Sequence, residues 1–292
     1  MDIFDAQVHV FYTLQLDETI AVMNALGIQS VIIDEFWAYT KTRKAIPNVE
    51  LPNGVLRPVS PLAQAAALQY PERFSILQRV ERLDSDLPAV FAILGSTPGC
   101  RAIRITTRDP VERKALADGG YDELLKLAQR HDLAVSVLGN DIAAPLRAPL
   151  ARFPGVNFVL DHCGSPESPA AWDNILALGK FSNAWLKWSH GHHFFDAGPY
   201  PYAGLQTQLA RALNAFGKER VIWASDFTHN RTGATWAELL FYLRESANLS
   251  QGDKEWLFSR AARTLYRWPA PTTPAVAPHV ARLPFRPVIA KF

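Results

Sequence analysis

A regular alternation of short apolar runs with longer segments of helical periodicity constrains this chain most strongly. The apolar runs have the length and β-branched character of strands, and they lie at residues 3–10, 30–34, 74–80, 101–105, 134–138, 157–160, 184–188 and 220–224. Helical patterns lie between and after them, at residues 17–26, 121–131, 144–152, 170–178, 202–216, 234–246 and 252–266. Eight strands alternating with helices predict an α/β fold in which a parallel sheet closes into one (β/α)8 TIM barrel. An open doubly wound sheet is the main alternative, but no glycine-rich phosphate turn follows the first strand.

Two segments depart from this alternation. Residues 35–70 form a long connection with prolines at 47, 52, 58 and 61, and its length predicts a lid or a substrate-binding loop. Residues 269–292 hold six prolines in 24 residues and predict an irregular tail, either a linker or an arm on a neighbouring subunit. The chain is therefore predicted to be one barrel domain, residues 1–268, followed by a proline-rich extension.

The charge balance limits the classes of partner. Thirty Lys and Arg residues face 28 Asp and Glu residues, so neither nucleic acid nor an anionic membrane is predicted as a partner. The two cysteines, Cys100 and Cys163, are too few for a disulfide framework. No signal peptide and no long apolar span are recognised, so we expect a cytoplasmic protein. Its expected partners are a small molecule and further copies of the same chain.

Most of the histidines follow predicted strands. Six of the eight lie at or just beyond a strand end, at positions 9, 162, 190, 192, 193 and 229. Catalytic groups of these barrels lie at the carboxyl ends of the strands, so this clustering predicts a functional site there.

Three strand ends hold the most informative patterns. They read Gln-Val-His at 7–9, Asp-His-Cys-Gly at 161–164 and Ser-Asp-Phe-Thr-His at 225–229. Strand alternation places Asp5, Gln7 and His9 on one face. Asp226 follows a fully apolar strand, where a carboxylate must be paired, metal-bound or functional.

Together these segments resemble the amidohydrolase-related branch of the amidohydrolase superfamily. Weaker similarities at 71–74, 99–104, 186–189 and 261–266 extend the resemblance over residues 1–268. The resemblance implies a TIM barrel whose divalent metal, often zinc or manganese, is held by an HxH pair, a later His and the Asp of the last strand. Carried over, it implies that His9, His162 and Asp226 are metal ligands.

Gln7 departs from the family pattern, because it stands where the first His of the pair is expected. An amide oxygen is a far poorer zinc ligand than imidazole, so the site could equally work without a metal. The unusual run of residues 189–193 could supply replacement ligands, or its His190 and His192 could line the substrate pocket.

The first functional hypothesis is a lactonase-like hydrolase of a small, carboxylated cyclic ester or a related carbonyl compound. Some members of this branch are lactonases, and certain of those work without metal. Asp226 would act as general base for water, while His9 and His162 would hydrogen-bond the carbonyl oxygen. Gln7 would donate an N–H group, and the substrate carboxylate would be bound by one or more arginines at the catalytic end, Arg57, Arg104 and Arg231.

Two alternatives remain open. His9, His162 and Asp226 could hold a single Zn, Mn or Fe ion for hydrolysis, decarboxylation or, more remotely, oxygen chemistry. The chain could instead be a degenerate, non-catalytic subunit that forms a hetero-oligomer with an active paralogue.

Overall fold

The computed structural model describes residues 1–9, 16–36, 47–229 and 233–272. Within them, eight parallel strands are hydrogen-bonded in chain order around a barrel. These barrel strands are β1 (Phe4–Val8), β2 (Ser30–Ile33), β3 (Phe74–Arg79), β4 (Cys100–Thr106), β5 (Ala134–Leu138), β6 (Phe158–Leu160), β7 (Ala184–Trp188) and β8 (Val221–Trp223). The residues just after β8 reach β1 through a hydrogen bond from the Asp226 N–H to the Gln7 carbonyl, 3.0 Å long. The predicted (β/α)8 barrel is confirmed.

Helices cover the outside of the barrel. They are α1 (Leu16–Leu26), α2 (Pro61–Gln69), α3 (Leu87–Ser96), α4 (Pro110–Asp118), α5 (Asp122–Arg130), α6 (Ala143–Arg152), α7 (Pro169–Leu176), α8 (Gly191–Phe194), α9 (Ala203–Phe216), α10 (Trp236–Arg244), α11 (Gln251–Glu255) and α12 (Ala261–Tyr266). A π-helical turn, Trp256–Arg260, joins the last two. Short 3₁₀ turns lie at His162–Gly164, Ala177–Lys180, Lys218–Arg220 and Phe227–His229.

The interior of the barrel is an apolar core closed at one end. Phe4, Ile32, Leu77 and Ile222 are fully buried there, and the C-terminal helix packs beneath them. Tyr266 stacks on Phe4 at 6.0 Å and Trp268 meets it edge-on at 5.3 Å. Because Phe4 begins β1, this contact seals the end at which the strands start and leaves the carboxyl ends for chemistry.

The connection between β2 and β3 is more regular than the sequence predicts. A two-stranded antiparallel hairpin, Asn48–Glu50 with Leu56–Pro58, precedes α2. Pro61 occupies the first turn of α2, where its missing N–H costs no helical hydrogen bond. The prolines of this segment therefore start and bound elements, and residues 47–70 form a hairpin and a helix. The predicted role of this connection as a lid or a substrate-binding loop stays a prediction. Residues 37–46 lie outside the described residues.

Two boundaries of the prediction stay open. Residues 273–292 of the proline-rich tail are outside the described part of the chain, so the domain limit at residue 268 stays a prediction. None of the described helices is long and apolar enough to cross a membrane.

Candidate active site

Three side chains at the carboxyl end of the barrel stand on unusual backbone. His162, His190 and Asp226 follow β6, β7 and β8 and have φ angles of 51°, 53° and 42°. Left-handed backbone at a residue other than glycine costs on the order of 1–3 kcal/mol and is concentrated at functional sites. Three such residues at neighbouring strand ends mark this end of the barrel as the site.

Asp226 is the centre of the cluster and is fully buried. Its Oδ1 lies 3.1 Å from His9 Nε2, and its Oδ2 lies 2.9 Å from His190 Nε2 and 3.6 Å from His162 Nε2. Burial alone would raise the pKa of this carboxyl, but the charge of His9 and the hydrogen bond from His190 outweigh it and hold the pKa well below its usual range. Asp226 is therefore a carboxylate at any physiological pH.

His9 lies between two oxygen acceptors. Its Nδ1 is 2.5 Å from the Asp34 carbonyl oxygen, while its Nε2 faces Asp226. A carbonyl oxygen accepts only, so the Nδ1 carries a proton. His9 is thereby held with its Nε2 beside Asp226 Oδ1.

Gln7 turns its amide nitrogen toward the site. Its Oε1 accepts from Lys187 Nζ at 2.8 Å, and its Nε2 points to Asp226 Oδ2 at 3.5 Å. Because an ammonium only donates, Lys187 fixes which end of the amide is the oxygen. Lys187 is itself fully buried and pairs with Asp161 Oδ1 at 2.6 Å. Gln7 therefore offers the site an N–H donor and no ligand oxygen.

Arg104 is engaged by buried side chains of the protein itself, while its predicted contact with substrate stays a prediction. Its guanidinium, 2% exposed, donates to Asp161 at 2.7 Å, to the Asp34 carboxylate and to His162 Nε2 at 3.1 Å. These partners come from the ends of β2 and β6, so one side chain ties two strand ends to the histidine. Each nitrogen of the Arg104 guanidinium is thus engaged by a buried group of the protein.

His162 is held as a neutral ring. Because Arg104 only donates, the Nε2 accepts, and the Nδ1–H donates to Ser189 Oγ at 2.8 Å. Burial and the neighbouring His190 lower the pKa of His162 well below its usual value. Both ring nitrogens are thus engaged, and the predicted hydrogen bond from His162 to a substrate carbonyl oxygen is not available in this arrangement.

Arg57, Arg231 and His192 are the other residues predicted to contact substrate. Arg57 donates to Asp84 at 2.6 Å and to Asp86 at 2.7 Å, and so anchors the hairpin to the loop after β3. Within the described residues, Arg57 contacts these two carboxylates and no residue of the site. Arg231 is not among the described residues. His192 lies beside His190, with ring centroids 6.0 Å apart.

The predicted clustering of histidines is present in the structure. His190 is its centre, with ring centroids 4.6 Å from His162, 4.7 Å from His193 and 6.0 Å from His229. His229 in turn lies 6.1 Å from His9. The strand ends thus bring together all six histidines that the sequence pattern singled out.

The donor chemistry allows a test of the expected metal set. Ligand atoms of His162, His190 and Asp226 lie within 4.8 Å of one another, so this His/Asp cluster could hold an ion. His9 belongs to no such group among the described residues. The Nε2 lone pair of His162 is taken by Arg104, and a divalent ion there would face a guanidinium. The expected set of His9, His162 and Asp226 therefore does not fit a metal as arranged, and His190 would have to replace His9.

Three groups of this site were not identified from the sequence. Asp34 directly follows β2, and a carboxylate at a strand end was the available signal. Lys187 lies within β7, where the pattern does not show which side of the strand enters the barrel. Ser189 lies in the two segments, 186–189 and 189–193, that the sequence pattern singled out, but the pattern gave it no role. Cys163 is a buried thiol, and burial raises its pKa to about 12, which makes it a poor nucleophile.

Asp5 anchors the loop that presents Asp226. Its carboxyl oxygens accept from the Ser225 N–H at 2.9 Å, the Ser225 hydroxyl at 2.5 Å and Trp236 Nε1 at 2.8 Å. A register shift between Asp5 and Val8 in β1 interrupts the strict alternation of the strand, so Asp5 and Gln7 contact different partners. Despite its donors, burial raises the pKa of Asp5 to about 7.

This raised pKa predicts a pH-dependent stability. A carboxyl whose pKa is higher in the folded than in the unfolded protein stabilises the fold fully at pH values below its pKa in the unfolded chain. This contribution to the free energy of unfolding is lost as the pH rises through the folded-state pKa of about 7. Between pH 5 and pH 7 we expect the free energy of unfolding to fall by roughly 2 kcal/mol relative to an Asp5→Asn variant. Urea unfolding of both proteins at the two pH values measures this difference. A wild-type protein that parallels Asp5→Asn across this range would contradict it.

Comparison with known proteins agrees with this geometry. Residues 62–268, most of the barrel, match the amidohydrolase family. The chain belongs to the amidohydrolase family. The predicted resemblance is thereby confirmed, and with it the prediction of an enzyme of the amidohydrolase superfamily. No curated protein matches the sequence.

Solved structures share the fold of this amidohydrolase at low identity. An amidohydrolase from Burkholderia multivorans with bound zinc superposes with a TM-score of 0.74 and 17% identity, covering 92% of this chain and 100% of the other. A protein from Pseudomonas putida assigned as a 2-pyrone-4,6-dicarboxylic acid hydrolase has a TM-score of 0.70 and 18% identity over 91% and 98%. The 5-carboxyvanillate decarboxylase of Sphingomonas paucimobilis has a TM-score of 0.62 and 15% identity over 87% and 84%.

Proposed function

We propose that this amidohydrolase hydrolyses a small, carboxylated cyclic ester, with Asp226 as the general base for water. One observation carries the proposal: a fully buried carboxylate, kept ionised, stands at the mouth of the barrel between the imidazoles of His9 and His190. A carboxylate in that position can accept a proton from a water molecule, and the histidines beside it orient its two oxygens.

The chemistry follows from the positions of the protons. Asp226 takes one proton from water as the water oxygen forms a bond to the ester carbonyl carbon. The carbonyl oxygen gains negative charge, which Gln7 stabilises by donating a hydrogen bond from its amide nitrogen. His9 Nε2 becomes available to the same oxygen once Asp226 carries the proton. The ring C–O bond then breaks, and Asp226 returns its proton to the leaving oxygen. One ester and one water give one carboxylic acid and one hydroxyl group.

The remaining residues keep this pair in place. Lys187 holds Gln7 so that its amide donates toward Asp226, and Arg104 holds His162 beside it. Arg79, Arg104 and Lys187 pair with the buried carboxylates of Asp34 and Asp161. Two carboxylates beside the site are thus paired with cations of the protein itself.

The acidic nature of the substrate has separate support. The similar structures include proteins named for a pyrone dicarboxylic acid and for carboxyvanillate, both of which are carboxylates on a ring. Since Arg57 and Arg104 are engaged by protein carboxylates, recognition of the substrate carboxylate falls to Arg231 and His192 in this proposal.

A panel of lactones tests the proposal. Carboxylated pyrones, including 2-pyrone-4,6-dicarboxylate, and uncarboxylated lactones of similar size should be offered to enzyme with and without a strong chelator. We expect turnover of the carboxylated compounds that persists after chelation, and slower turnover of the others. No turnover of any lactone, or activity that disappears with the chelator and returns with zinc, would count against it.

A metal-dependent hydrolase or decarboxylase is the second candidate. It is favoured by the donor group of His162, His190 and Asp226 and by the zinc in the Burkholderia structure. In that case these three side chains would hold the ion, and the ion would supply Lewis acidity to a bound carbonyl or water. Arg104 would first have to release His162, which is why this candidate ranks second.

A further inference from the structure

A second group of imidazoles lies at the end of β7, on the outer side of His190. His190 is buried, His192 is half-buried and His193 is exposed, so the group runs from the pocket to the surface. Ligand nitrogens of the three lie within 4.8 Å of one another. We propose that His190, His192 and His193 bind one divalent transition-metal ion, such as Zn²⁺, at a site distinct from the carboxylate pocket of Asp226.

The backbone brings these imidazoles together. His190 precedes the single-turn helix α8, and its carbonyl accepts the His193 N–H at 2.8 Å. The ring centroids of His190 and His193 are 4.7 Å apart, and those of His192 and His193 are 4.6 Å apart. The grouping therefore depends on a hydrogen-bonded turn, which reduces the conformational entropy that a metal would otherwise have to overcome.

The two ring nitrogens of His190 have different surroundings. Its Nε2 lies 2.9 Å from Asp226 Oδ2, and a carboxylate only accepts, so the Nε2 carries a proton and donates it to Asp226. The other ring nitrogen, Nδ1, is buried with no hydrogen-bond partner among the described residues. Buried polar atoms are normally satisfied, so an unpartnered one is unusual. A metal ion bound to the Nδ1 would satisfy it.

Asp226 completes a recurring pattern of metal sites. A histidine that binds a metal through one nitrogen usually donates the other N–H to a carboxylate, which fixes the tautomer and strengthens the ligand. His190 has that arrangement, with Asp226 as the carboxylate. Three imidazoles with further positions open to water suit zinc. Since the Nε2 of His190 cannot both donate to Asp226 and bind a metal, this site and one on His162, His190 and Asp226 exclude each other.

Matched imidazole-to-amide substitutions test the site. The full chain is stripped with a chelator, and Zn²⁺ is titrated by calorimetry into wild type and into the variants His192→Gln, His193→Gln and His162→Gln. We expect one Zn²⁺ per wild-type chain and at least about 10-fold weaker binding in His192→Gln and His193→Gln, because loss of a ligand exceeds the effect of losing an outer partner. His162→Gln should bind Zn²⁺ as wild type does. His131→Gln, which removes an imidazole from the end of α5, is the control.

Each result bears on the proposal. Absence of stoichiometric Zn²⁺ binding to wild type would overturn it. Loss of binding in His162→Gln with retention in His193→Gln would place the ion in the carboxylate pocket and would also overturn it. Circular dichroism shows whether each variant is folded, and Co²⁺ absorption in the visible range gives an independent readout of a histidine-bound ion. None of these measurements depends on lactone turnover.

Discussion

Replacing Asp226 by Asn is expected to lower kcat/KM for the best lactone of the panel by about 10²- to 10⁴-fold, the range typical of general-base loss. Asparagine has nearly the same shape but cannot take a proton from water. Because the pKa of Asp226 is held well below its usual range, protonation of Asp226 should cause no loss of wild-type activity between pH 7 and pH 5. Steady-state kinetics of both proteins over this range measure the two effects together.

The control removes a carboxylate away from the barrel mouth. Asp173 is largely exposed and pairs with Arg211 on the outer surface, so Asp173→Asn should keep wild-type kinetics. Circular dichroism and thermal unfolding establish that Asp226→Asn remains folded. A folded Asp226→Asn enzyme with undiminished turnover would show that another group is the base.

Replacing Arg104 by Met is expected to lower the free energy of unfolding by about 3–5 kcal/mol, the usual cost of removing one partner from a buried ion pair. Its guanidinium holds Asp34, Asp161 and His162 at once, and each of them is buried. Methionine fills the space without a charge, so those carboxylates keep only Arg79 and Lys187 as partners. Urea unfolding monitored by tryptophan fluorescence measures the loss.

Two further variants distinguish the cost of leaving buried carboxylates unpaired from the cost of removing any arginine. Arg211→Met removes a surface arginine that is 41% exposed in its ion pair, and it should cost less than about 1 kcal/mol. The double variant Arg104→Met/Asp161→Leu should cost less than the sum of the single variants, because the orphaned carboxylate is removed with its partner. Equal losses in Arg104→Met and Arg211→Met would refute a buried network.

The barrel itself could be predicted because its strands are short apolar runs that are buried almost completely. Two of the outer helices that the sequence pattern does not predict were missed for opposite reasons. The segment Leu87–Ser96 is apolar nearly throughout, so it shows no polar face, while Pro110–Asp118 buries only Leu116 and shows no apolar face. Neither gives the periodic signal on which helix prediction depends.

The location of the site could be predicted from the sequence, but the hydrogen bonds and ion pairs within it could not. His190 and Asp226 were placed correctly at strand ends, because position along the barrel follows from strand order. The partners of Arg104 and Lys187 could not be predicted, because they follow strands that are far apart in sequence. Whether a cationic side chain is available to a substrate depends on whether a buried carboxylate already pairs with it. The homo-oligomeric state and the role of the proline-rich tail stay predictions.

The sealed end of the barrel has a consequence for the order of synthesis. Phe4 is covered by Tyr266 and Trp268, and Arg263 pairs with Asp2 at 2.9 Å. The first strand is synthesised long before Tyr266 and Trp268, the residues that cover it. The nascent chain therefore presents an uncovered apolar strand until nearly the whole barrel has been synthesised, and folding of this enzyme is completed only after residue 268 has emerged.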